Sequence, residues 1–116
     1  SKGSLEVWGT GKEIRDFLYA DDLVDFVKKS LRKQKTQYEI FNCGSGIPIK
    51  VKDLVKKIIK ISKKDITMQF NKKKPTIPFD MYLNIKKAHK EIGWKPKTDI
   101  DSGIKKTIKW WKENIQ

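Results

Sequence analysis

With 116 residues, 37% of them apolar, the chain is one domain or part of one and can bury only a modest core. One cysteine excludes an internal disulfide framework, and one histidine without a Cys-x-x-Cys argues against zinc. No apolar run reaches the roughly 18 residues of a membrane span, and no basic-apolar leader opens the chain, so a reducing, cytoplasmic setting is expected.

Taken in chain order, Leu5-Glu6-Val7-Trp8 alternates and meets Gly9, as a short strand entering a turn does. Ile14 to Tyr19 reads as a second extended piece. A helix is expected from Asp21, where Asp21 and Asp22 suit the positive end of the helix dipole. Leu23, Val24, Phe26, Val27 and Leu31 form its apolar stripe. Tyr38 to Cys43 reads as a strand closed by Gly44-Ser45-Gly46, with Cys43 a buried, inert thiol. Val51, Leu54, Val55, Ile58 and Ile59 recur at helical spacing.

Thr67 to Phe70 alternates as a further strand, and the prolines and lysines of Asn71 to Pro78 mark a loop. Ile85, Ala88 and Ile92 line a short helix stopped by Gly93. A last helix starts near Asp99 or Asp101 and carries Ile104, Ile108, Trp111 and Ile115 on one side. The fold class is therefore mixed α/β, an α+β fragment with short strands and about four helices. Residues 1–116 are read as a single domain or partial domain.

The net charge of +13 comes from 27 basic residues, of which only Arg15 and Arg32 are arginine. The lysines fall mostly on the polar faces of the expected helices. That pattern favours a solvated surface over a nucleic-acid footprint, which clusters cations and uses arginine on base edges. A small lysine-rich nucleic-acid-binding module is the alternative function. Either way the positive field concentrates anionic ligands.

Arg15 stands out between the glycine-bracketed turn Gly9-Thr10-Gly11 and an apolar strand. Its planar guanidinium can give two parallel hydrogen bonds to a phosphate and keeps its proton. The competing reading is an ion pair with Asp16 or Asp22. Three other patterns do not carry chemistry. Gly9-x-Gly11-Lys12 lacks the spacing of a P-loop, and Gly44-x-Gly46 has Ile49 where a dinucleotide fingerprint needs a small residue. Tyr82 and Lys86 have the Tyr-x-x-x-Lys spacing but sit just before a C-terminal helix. No catalytic, cofactor-binding or metal-ligating residue is assigned.

The run Val7-Trp8-Gly9-x-Gly11-x-x-x-Arg15-Asp16-Phe17-Leu18-Tyr19-x-x-Asp22 resembles the opening of the substrate-binding part of the extended short-chain dehydrogenase/reductases. These are the NAD-dependent nucleotide-sugar epimerases, dehydratases and reductases. Phe41-Asn42-Cys43-Gly44-Ser45-Gly46, Asp53-Leu54, Asn84 to Ala88, Glu91 to Pro96 and Gly103 to Trp110 follow the family pattern in order, over almost the whole chain. Three places depart from it: Ala20 replaces the usual valine, Asn84 replaces an aspartate, and Asp80-Met81 stands where a basic residue is common.

The resemblance implies that this is the C-terminal portion of such an enzyme, with the Rossmann half that binds NAD or NADP and carries the catalytic residues missing. It implies that Arg15 binds the diphosphate of a nucleotide sugar and that Trp8 lies against the base, although packing is the rival role for any tryptophan. It makes Lys74 a second phosphate ligand, in competition with Lys72 and Lys73. Trp94, Trp110 and Trp111 are left to packing. The fragment alone is expected to be inactive, and a homodimer of the full-length enzyme is a further expectation. Trp8-Gly9-x-Gly11 and Lys74-Pro75 lean towards GDP-fucose-synthase-like reductases, with the subtype open.

Overall fold

A computed structural model describes residues 3–115. Strand β1 (Gly3–Trp8) runs parallel to β4 (Ile66–Asn71), with Gly3 opposite Ile66 and Trp8 opposite Asn71. The two-residue strands β2 (Ile14–Arg15) and β3 (Ile49–Lys50) pair antiparallel. Helices α1 (Ala20–Lys33), α2 (Val51–Ser62), α3 (Lys86–Ile92) and α4 (Ile100–Asn114) complete the set.

The starts of α2 and α4 are fixed by local hydrogen bonds. The first two N–H groups of α2 are taken by the glycine-bracketed turn and the residues just after it, Val51 N–H by Glu13 O at 3.0 Å and Lys52 N–H by Gly11 O at 2.8 Å. Gly11 has φ +69°, and a Cβ there would stand 2.8 Å from Lys52 Cβ, so this position requires glycine. Asp99 caps α4 by accepting from Ser102 N–H at 2.7 Å, which places Asp101 inside the first turn.

The core is small. Ala88, Ile92 and Trp94 are fully buried, with Leu18, Phe26, Phe41, Cys43 and Ile85 packed around them. Phe26 meets the Trp94 ring edge-on at 5.3 Å between centroids. Asp22 is the buried carboxylate of this region. It accepts from the N–H groups of Lys97 at 3.1 Å and Thr98 at 3.0 Å, while its own carbonyl accepts from Trp94 Nε1 at 3.1 Å. The start of α1 is thus tied to the 94–98 segment, a role beyond the dipole contribution expected for this acid.

Two expectations need correction. Tyr38 to Cys43 forms no ladder with any described strand, and the strand between α1 and α2 is instead Ile49–Lys50. The segment does place Phe41 and Cys43 in the core, and Lys87 fastens it by pairing with Glu39 and donating to Ile40 O at 2.7 Å. Its outer residues Tyr38 and Ile40 are exposed, because an apolar strand without a neighbour leaves backbone and one face unsatisfied. Trp110 and Trp111 are also exposed rather than packed.

The same shortage of partners runs through the molecule. Leu23, Val24, Val27 and Leu31 on α1 are exposed, as is most of the two-stranded parallel sheet, an arrangement normally covered on both faces. The radius of gyration is 16.9 Å, against about 13 Å for a compact chain of this length. Asp22→Ala would leave two part-buried N–H groups without their acceptor and is expected to cost about 2 kcal/mol in a denaturant titration. A loss within the ~0.5 kcal/mol of an ordinary surface change would contradict the role given to this carboxylate.

Candidate substrate-binding site

Trp8 ends β1 with half its surface in solvent. The turn after β4 is fixed beside it: Asn71 O accepts from Gly9 N–H at 2.9 Å and from Lys74 N–H at 3.3 Å, and Asn71 Nδ2 donates to Glu6 at 3.1 Å. This turn sets Lys74 Nζ 5.3 Å from the centre of the Trp8 ring. Of the three adjacent lysines, Lys74 is the one in cation–π contact with Trp8. A base stacked on the indole would use the other face or displace the ammonium towards its own phosphates.

From Lys74 the chain crosses Gly9, where a Cβ would meet Thr76 at 2.5 Å, and reaches Arg15. The guanidinium is held by backbone carbonyls. Nη1 donates to Ile14 O at 2.8 Å and to Phe79 O at 2.6 Å, and Nη2 donates to Ile77 O at 2.9 Å. Its carbon also lies 5.9 Å from the centre of the Phe79 ring. Among the described residues Arg15 makes no ion pair with Asp16 or Asp22. Three of its five N–H groups are used, leaving Nε–H and one on Nη2. Arg15 is partly exposed, and among the described residues no carboxylate is ion-paired with it.

Asp16 faces elsewhere, and its role was not read from the sequence. Its carboxylate accepts from Ser45 N–H at 2.6 Å, Gly46 N–H at 2.9 Å and Leu83 N–H at 3.1 Å. Burial pushes this carboxyl up, but the hydrogen bonds from Ser45, Leu83 and Gly46 outweigh it and hold the group below its ordinary range. The signal in the sequence was the Arg-Asp dipeptide itself, without anything to identify its partners. Asp80, one of the departures from the family pattern, accepts from Ile14 N–H at 2.9 Å and so fastens β2.

Neither glycine pair offers a phosphate cradle. The Gly11 carbonyl faces α2, and the Ser45 and Gly46 N–H groups are occupied by Asp16. These residues therefore do not fit a dinucleotide cofactor. Burial raises the Cys43 thiol, and the charges of Asp16 and Asp22 raise it further, as in an inert thiol. An apolar cavity of about 350 Å³ between Phe17, Tyr19, α2 and α4 touches none of Trp8, Arg15 and Lys74. Among the described residues no three His, Cys, Asp or Glu side chains gather as metal ligands, and no helix is long and apolar enough to cross a membrane.

A sequence profile of the GDP-mannose 4,6 dehydratase family matches residues 1–107. The dTDP-D-glucose 4,6-dehydratase of Bos taurus is 34% identical over 94% of this chain and 32% of its own length. A probable GDP-L-fucose synthase of Oryza sativa subsp. japonica is 33% identical over 94% of this chain and 33% of its own length. The crystal structure of UDP-glucose 4-epimerase from Thermotoga maritima, with UDP-glucose, superposes with a TM-score of 0.88 at 26% identity, over 97% of this chain and 36% of the other. The chain thus spans about a third of the length of the relatives it matches.

Because the folded state holds Asp16 ionised, its contribution to stability is present above the usual carboxylate range and is lost as pH falls through the lowered value. The advantage of the native chain over Asp16→Asn in denaturant melts should shrink between about pH 5 and pH 2. A difference that stayed constant over that window would contradict a hydrogen-bonded carboxylate.

Proposed function

This chain belongs to the GDP-mannose 4,6 dehydratase family, within the extended short-chain dehydrogenase/reductases that act on nucleotide sugars, and from that premise we propose that it is a substrate-binding portion. Its ligand is the nucleotide diphosphate of an activated sugar. Arg15 and Lys74 take the diphosphate and Trp8 takes the base. The observation that carries the reading is the loop after β4, which sets Lys74 over Trp8 at one end and aims Arg15 at the other.

The chemistry suits this division of work. A diphosphate needs donors that keep their charge, and Arg15 retains two free N–H groups on a guanidinium with no competing carboxylate. Lysine is a mobile point charge, suited to following a phosphate from its resting place over an indole. Trp8 gives stacking area that tolerates any base. Binding energy gathered far from the reacting carbon positions the sugar for chemistry carried out by other residues.

Those other residues, and the site for NAD or NADP, belong to a cofactor-binding portion that these residues do not form. The exposed apolar stripe of α1 and the unladdered Tyr38 to Cys43 segment suit docking against such a portion. The complete enzyme is read as a cytoplasmic, carbohydrate-modifying oxidoreductase, isomerase or lyase, with a homodimer as its assembled form.

The chain alone is expected to bind UDP, GDP or dTDP weakly, with quenching of Trp8 fluorescence. Arg15→Ala should weaken that binding at least tenfold, about 1.4 kcal/mol, and Lys74→Ala by a smaller factor. No nucleotide sugar should be turned over by the chain with NAD or NADP. Turnover, or an unchanged affinity in the Arg15 variant, would overturn the proposal. Tight binding to unrelated duplexes, lost steeply in salt, would favour the nucleic-acid alternative.

A further inference from the structure

Residues 14–16 grip the 77–83 segment with one hydrogen bond after another. Arg15 donates to the carbonyls of Ile77 and Phe79. Ile14 N–H donates to the Asp80 carboxylate, and Ile14 O accepts from Met81 N–H at 3.0 Å. Asp16 accepts from Leu83 N–H and, from a second direction, from the consecutive N–H groups of Ser45 and Gly46. Successive N–H groups converging on one carboxylate form an anion nest. Its fit is close: a Cβ on Gly44 would stand 2.8 Å from Asp16 Oδ2 and 2.9 Å from Leu83 Cδ1.

The carbonyls that aim Arg15 lie at one end of this zipper, and Asp16 closes the other. We propose that Asp16 is a positioning residue for Arg15. By locking Leu83 and the 44–46 turn to the end of β2, its carboxylate keeps the Ile77 and Phe79 carbonyls where they turn the free edge of the guanidinium outward. This rests on the reading of Arg15 as the diphosphate ligand. Without the lock, the 77–83 segment can shift, the guanidinium loses its tether, and two parallel bonds to one phosphate become one or none.

A positioning role for Asp16 and simple electrostatics have opposite signs. Removing a negative charge one residue from an anion site should strengthen anion binding by relieving Coulomb repulsion. A positioning role requires that Asp16→Asn weaken it. General loosening of the fold would instead lower affinity for charged and uncharged ligands alike.

The test uses the 116-residue chain with Arg15→Ala, Asp16→Asn and the double variant. Affinities for UDP and for uridine are compared, and circular dichroism checks folding. Asp16→Asn is expected to cost about fivefold in UDP affinity, to leave uridine within about twofold, and to add nothing to Arg15→Ala, as expected for coupled residues. Should the Asn variant not fold, Gly44→Ala displaces the carboxylate while keeping its charge, and the same pattern is expected. If Arg15→Ala weakens UDP but a folded Asp16 or Gly44 variant does not, or if the effects simply add, the positioning role is overturned and the Arg15 reading stands. An Arg15→Ala variant that binds UDP like the native chain overturns both.

Discussion

The carboxylate of Asp16, set among three backbone N–H groups, is the constraint on which the rest of the proposed site depends. A single ionised side chain joins three stretches far apart in sequence: the end of β2, the 44–46 turn and the start of the segment leading to α3. Hydrogen bonds to an ionised acceptor are among the stronger ones available to a protein. Here they do the work that a larger core would otherwise do. Asp22 repeats the device at the start of α1, where two N–H groups of the 97–98 segment converge on it.

This reliance on carboxylate pins follows from the shape of the molecule. Few side chains are fully buried, the parallel sheet has two strands, and apolar side chains of α1 and of the last turns of α4 meet solvent. Hydrophobic burial alone orders little of such a chain. The connecting segments instead keep their places through caps, turns and the carboxylates of buried Asp22 and half-buried Asp16. These are directional interactions, and direction is what a binding site for two adjacent phosphates requires.

The electrostatic design has two levels. Lysines on every helix raise the general positive potential without marking a site, while Arg15 and Lys74 are placed by specific contacts. The rival reading of Arg15, an ion pair with Asp16 or Asp22, is not formed among the described residues, where the guanidinium is tethered to carbonyls instead. Both acids are engaged with backbone N–H groups elsewhere, so the arginine keeps its charge available. Two of the departures from the family pattern have structural work of their own. Asp80 holds β2, and Asn84 accepts from Lys86 N–H at 3.0 Å at the start of α3.

Local chemistry was readable in the residue order. Periodic apolar positions located the four helices of the described residues, Gly93 marked the end of α3 while the start of α4 was narrowed to Asp99 or Asp101, and the motif series pointed to the family, because each depends on neighbours a few positions apart. Pairing of strands was less so: Tyr38 to Cys43 has the composition of a strand, yet a ladder needs a second backbone that composition cannot supply. The union of Trp8 with Lys74, the turning of Arg15 onto carbonyls 77 and 79, and the nest around Asp16 join residues more than 25 positions apart. Only the folded chain decides such contacts, since they depend on where loops return in space and on which donors are left without a partner there.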